Sequence, residues 1–132
     1  MDNRQTPPMQ TLLARVRGTG AAKKGTSDFW MQRVTALANI PLSLFFVVGI
    51  VTHIDATHAQ MRAFLGQPLV GVVALLFIIS MSWHMRLGLQ SVVEDYIHRP
   101  ALKLAVLIAN NFFALALGVS CALAVLKLVI GG

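Results

Sequence analysis

The sequence predicts an all-α protein of three transmembrane helices, and three observations lead there. Of its 132 residues, 56% are hydrophobic and only 12% charged, a balance far outside that of water-soluble globular chains. The apolar residues are gathered into three long blocks instead of being spread at core spacing, as bilayer spans require. Lys and Arg border those blocks, the flanking charge that sets membrane topology. The formal charge of +6 therefore belongs to topology, and nucleic acid is set aside as a partner. The single cysteine, Cys121, leaves no internal disulfide and no cysteine-rich metal site. Between Ser120 and Ala122 it reads as a packing residue.

Residues 1–24 form a polar, basic tail with Pro7-Pro8 and no apolar stretch of signal-peptide length after its charges. An organelle-targeting segment fits less well, because the tail is poor in serine and contains Asp2. A cytoplasmic tail is expected, followed by an anchor domain over 25–132 with spans at about 31–52, 68–92 and 102–128. Gly25 interrupts the tail, Ser27 or Asp28 offers a helix cap, and Phe29 with Trp30 suits the interfacial zone. The apolar part of the first span, Val34 to Thr52, is nineteen residues, close to the ~20 that cross the hydrocarbon. Pro41 inside it removes one backbone hydrogen bond and predicts a kink. Arg33 stands at the entry, either as a snorkelling cation or as a charge aimed at an anionic group in the interface.

His53 to Gln67 is a short connection, and its two histidines, His53 and His58, lack helical spacing and a third ligand. A solvated loop is expected. The second apolar block has only fifteen residues from Leu69 to Trp83, so its helix must continue through His84 to about Gln90. That continuation puts the His84 imidazole roughly 9 to 13 Å below the membrane surface, with Arg86 nearer the end, where its stem reaches the headgroups. The third block, Leu104 to Leu126, is twenty-three residues between Lys103 and Lys127 and spans easily. Ala114, Gly118 and Ala122 give it a small-residue stripe for close helix approach, and Asn110 and Asn111 are placed to hydrogen-bond between helices.

Orientation follows from the basic residues. The tail through Arg33 has six Lys or Arg and the Arg86 to Lys103 connection has three, against Arg62 and Lys127 on the other side. The N-terminus is then cytoplasmic and the C-terminus periplasmic.

The stretch from Ser82 to Pro100 carries the chemistry. His84, Gly88 and Asp95 fall on one side of a helix. An imidazole inside the bilayer has three readings: a hydrogen bond to a neighbouring helix, a haem ligand, or a proton site. As a ligand it would use one ring nitrogen while the other is oriented by an acceptor, for which Ser80, one turn back, is a candidate. Gly88 removes a side chain where a flat macrocycle needs room. With one such histidine, two protein ligands require a partner chain or a homodimer. Asp95 and Tyr96 mark the end of the helix at cytoplasmic water. They are either interfacial residues or a quinone site, with the phenol donating to a quinone carbonyl and the carboxylate supporting it or relaying protons.

Taken in order between the second and third spans, His84, Gly88, Gln90, Val93, Asp95, Tyr96 and His98 resemble the hydrophobic membrane-anchor subunit of succinate dehydrogenase, respiratory complex II. Gly25 to Arg33 is similar to the segment before that family's first helix. The likeness covers about Gly25 to Ile130, and His-Met-Arg-Leu-Gly with Glu-Asp-Tyr is most like alphaproteobacterial members. The resemblance implies that His84 is an axial ligand of haem b, with the second axial histidine from the cytochrome b556 subunit. It further implies Arg33 near the haem propionates, Tyr96 hydrogen-bonded to ubiquinone and Asp95 supporting that site. Some members carry a histidine where this chain has Ser27, so propionate contacts from that residue are not expected here.

On this reading the chain performs no chemistry alone. It is a non-catalytic anchor in the lipid of the bacterial inner membrane, the mitochondrial inner membrane being the weaker fit. It docks the flavoprotein and iron-sulfur subunits, whose centres pass electrons from succinate to ubiquinone. The competing readings are a fumarate reductase anchor using menaquinone and a non-redox structural or transport-accessory membrane protein.

Overall fold

The computed structural model describes the backbone of residues 21–131, with side chains from residue 25. Most of the expected tail, residues 1–20, lies outside the described residues. Among the described residues four helices follow one another: α1 (Ala21–Thr52), α2 (His58–Leu65), α3 (Pro68–Tyr96) and α4 (Pro100–Ile130). There is no strand among the described residues, and α1, α3 and α4 are each long and apolar enough to cross a membrane. The chain is an integral membrane protein with an all-helical fold.

Helix α1 is already formed at Ala21 and runs through Gly25, so Ser27 and Asp28 lie inside it and do not cap its start. A glycine within a helix costs only about 1 kcal/mol relative to alanine, too little to break one that continues into an apolar span. Pro41 is likewise accommodated inside the helix, where it lacks the N–H that would have bonded the carbonyl of Leu37. Helices α3 and α4 each open with proline, Pro68 and Pro100, at positions where the missing N–H has no intrahelical partner to lose.

The connection after α1 is not a plain loop. Its centre folds into the eight-residue helix α2, begun by a capping box in which Thr57 and Gln60 hydrogen-bond each other's backbone N–H. The Thr-x-x-Gln pattern is the local signal for this helix. Phe64 of α2 stacks on the His53 ring with centroids 4.4 Å apart, and a Cβ added at Gly49 would stand 2.9 Å from its ring. Thr57→Ala should cost about 1 kcal/mol of local stability. Amide hydrogen exchange over 58–65 checks this, and unchanged protection would contradict it.

Helix α3 is the centre of the molecule. It packs against α1 on one side and α4 on the other, and α1 and α4 do not touch among the described residues. Against α1 it places Phe77 beside Phe46, ring centroids 5.3 Å apart. Against α4 the approach is closer: a Cβ on Gly118 would fall 2.9 Å from Ser82 Oγ, and one on Gly71 would collide with the Val129 side chain. Ala114, one turn before Gly118, is buried. Little else is enclosed: at most 17% of the most apolar stretch of any span is buried. The remaining apolar surface faces outward, as in a protein whose solvent is lipid. Cys121 is free and exposed, contrary to the packing role expected of it.

Candidate functional site

Three polar side chains of α1 and α3 meet inside the apolar zone. Thr35 of α1 is buried, 7% exposed, and its Oγ1 lies 3.1 Å from Nδ1 of the half-buried His84. The same hydroxyl is 2.7 Å from the Met31 carbonyl oxygen and 3.1 Å from that of Gln32. Ser80 donates to the Thr35 carbonyl oxygen at 3.3 Å. Ser80 thus holds the backbone of α1, and the side chain that meets the His84 ring is Thr35. Sequence reasoning does not single out Thr35. The available signal is a pair of polar residues one turn apart in the first span, Thr35 and Asn39, whose side chains α1 directs to one face. Asn39 is buried as well, its Nδ2 3.8 Å from Met81 Sδ and its Oδ1 without a partner.

The unbroken helix α3 carries Gly88 one turn beyond His84, and a Cβ placed there would have nothing within 4 Å. The ground beside the imidazole is therefore open on this chain. Asp95 returns to the azimuth of His84 roughly 16 Å further along the axis. Tyr96 ends the helix at 79% exposure, and Asp95 and His98 are exposed too. Tyr96 and His84 are thus on one element at two depths and are not brought into contact by this chain. Arg33 is exposed, its guanidinium 4.4 Å from the centroid of the Phe29 ring. It is two residues from Thr35, roughly 200° around α1, so the chain by itself does not bring Arg33 to His84.

On the other side of α3 the asparagines bind helices together. Asn110 Nδ2 donates to the Arg86 carbonyl oxygen at 2.9 Å, and Arg86 Nε donates to Asn111 Oδ1. Arg86, expected to stretch toward headgroups, is half-buried, bonded across to α4 and 5.3 Å from the Trp83 ring. Near the end of α3 Gln90 links Glu94 and Asp28 at 2.9 and 3.4 Å, tying α3 to the start of α1.

Among the described residues no group of three or more His, Cys, Asp or Glu converges to hold a metal ion. His84 offers one imidazole nitrogen, a donor type that haem iron takes from histidine. The donor type and the open ground at Gly88 fit such a group, with the second axial ligand left for another chain.

Three long apolar helices packed through a central one define a small integral membrane subunit. A family model for the succinate dehydrogenase/fumarate reductase transmembrane subunit matches residues 3–119, and the chain belongs to that family. It is 27% identical over 95 residues to the succinate dehydrogenase hydrophobic membrane anchor subunit of Paracoccus denitrificans, covering 72% of this chain and 74% of the relative. The protein of the same name from Rickettsia bellii is 27% identical over 103 residues, 78% and 82% of the two chains. That from Coxiella burnetii is 26% identical over 84 residues, 64% and 73%. The resemblance carried by His84 to His98 is to this anchor subunit, and alphaproteobacterial proteins are among the relatives. These relatives are non-catalytic subunits of an enzyme complex.

Proposed function

We propose that this chain anchors a succinate:ubiquinone oxidoreductase in the bacterial inner membrane, with its N-terminus cytoplasmic and its C-terminus periplasmic. It docks the flavoprotein and iron-sulfur subunits, and with the cytochrome b556 subunit it encloses haem b and the site of ubiquinone reduction. The observation that carries this reading is the His84 imidazole, held by its inner nitrogen at Thr35 and bordered by open ground at Gly88. The names of the relatives favour succinate dehydrogenase over fumarate reductase.

His84 would be the residue by which this chain holds haem b, with a histidine of the cytochrome subunit as the second ligand. The haem supplies a one-electron redox centre inside the low-dielectric bundle. Arg33, a fixed cation at the level of the first span's entry, pairs with the propionates once the partner closes the site. Tyr96 stands at the helix end, where its exposed phenol can donate a hydrogen bond to a quinone carbonyl. Asp95 beside it supports the headgroup and the path of protons from water. Reducing one ubiquinone takes two electrons and two protons, so a site at the aqueous rim serves better than one in dry hydrocarbon.

Tyr96→Phe tests the quinone role. It should lower succinate:quinone reductase activity by about two orders of magnitude, the usual cost of removing a donor aimed at an oxygen that gains charge. Succinate oxidation with a soluble artificial acceptor should stay intact. Equal loss of both activities, or loss of neither, would contradict the assignment.

A further inference from the structure

We infer that Thr35 is the positioning residue that fixes the tautomer of His84, holding the ring proton on Nδ1 so that Nε2 keeps the lone pair for iron. This deepens the haem reading and rests on it. A threonine hydroxyl has one hydrogen to give and two lone pairs to receive. Its shortest contact, 2.7 Å, is to the Met31 carbonyl oxygen one turn back, the ordinary destination of a threonine hydrogen inside a helix. With that hydrogen committed, what Oγ1 presents to His84 Nδ1 at 3.1 Å is a lone pair. Only an Nδ1–H can satisfy it. Thr35 is 7% exposed, so water has little access to Oγ1, and a mismatched ring would set two acceptors face to face in a low-dielectric setting.

The threonine is itself held in place. Ser80, on α3 one turn before His84, donates to the Thr35 carbonyl oxygen at 3.3 Å. The side chain of Thr35 meets α3 at His84, and the backbone of Thr35 meets α3 at Ser80. Two contacts at one level fix the register of α1 against α3, and with it the distance from hydroxyl to ring. Free histidine in water prefers the opposite tautomer, with its proton on Nε2. Loss of the Thr35 acceptor therefore turns the ring toward the form that cannot ligate through Nε2. An imidazole hydrogen-bonded through its second nitrogen is also the more basic ligand, and a more basic ligand favours the oxidised iron.

The experiment uses the assembled complex in membranes and reads haem content, the rate of haem loss and the midpoint potential of the b-type signal. Thr35→Val keeps the branched shape and removes the oxygen. It should lower haem retention by roughly 10–100-fold, the usual effect of deleting such an outer partner, and shift the midpoint potential upward. Thr35→Ser should restore both toward the parent values. Where Thr35→Val does not assemble, Thr35→Cys carries the test with a weak sulfur acceptor and an intermediate shift. Ser80→Ala keeps the Thr35 oxygen and loosens only the register that holds it, so it should shift the potential in the same direction as Thr35→Val and by less. Parent-like retention and potential in the Val or Cys variant would overturn the inference, as would an equal shift in Ser80→Ala. A b-type signal that survives His84→Ala would overturn the haem reading itself. Its loss there, beside an unaltered Thr35 variant, would remove only the role of Thr35.

Discussion

Replacing His84 by alanine should abolish the b-type reduced-minus-oxidised spectrum of the assembled complex while leaving the chain inserted and helical. The loss is expected to be complete because no other imidazole of the chain can take over. His53 is stacked on Phe64 beyond the end of α1, His58 opens α2, and His98 is exposed past the last turn of α3. The fold should survive because the substitution strands nothing: the Thr35 hydroxyl keeps the Met31 carbonyl as its acceptor. Interhelical hydrogen bonds of this kind contribute on average about 0.6 kcal/mol within membranes, a small part of the packing between α1 and α3. A parent-like spectrum in His84→Ala would remove this residue from the set of ligands and return it to the role of a helix-to-helix bond.

The second large effect separates two glycines of the second and third spans. Gly118→Leu should disrupt the packing of α3 on α4, because even its Cβ would lie 2.9 Å from Ser82 Oγ and 3.3 Å from Ser82 Cβ, leaving the branched remainder no room. Overpacking of this sort typically costs about 1–3 kcal/mol, and here it acts on the helix that carries His84. Gly88→Leu is the contrast. Its Cβ would meet nothing within 4 Å, so the isolated bundle should be indifferent to it, whereas on the haem reading it intrudes where the macrocycle needs space. The expected pattern is loss of complex yield and thermal resistance in detergent for Gly118→Leu, and loss of the b-type spectrum with the chain still present for Gly88→Leu. A haem-replete Gly88→Leu complex would contradict the reading of that glycine, and a parent-like yield for Gly118→Leu would contradict the close approach.

The three spans were legible because a bilayer imposes one requirement on every stretch of chain inside it. Backbone groups must bond within the segment and side chains must be apolar over about 20 residues, and both demands are written in consecutive residues. The same holds for the place of His84 inside a helix that continues past it, and for the shared face of His84, Gly88 and Asp95, both of which follow from counting turns along one helix. The family likeness was equally local, lying in the spacing from His84 to Tyr96. Sequence and structure part where a local preference is weaker than its surroundings. Gly25 is too cheap to stop α1, and the Thr57–Gln60 capping box folds a helix inside a connection whose polarity predicts a loop.

What the sequence by itself determined is an all-helical membrane chain with His84 within the second span and Tyr96 at its last turn. What only the tertiary structure decided is the company that imidazole keeps. Ser80 was the nearer candidate along the chain, yet the side chain that meets His84 is Thr35, forty-nine positions away and on another helix. Position along a helix fixes the azimuth and depth of a side chain on its own axis, but the rotation and register of one helix against another are set by the whole packed face. Here that face is built from Phe46 against Phe77 and from the Thr35–Ser80 bond.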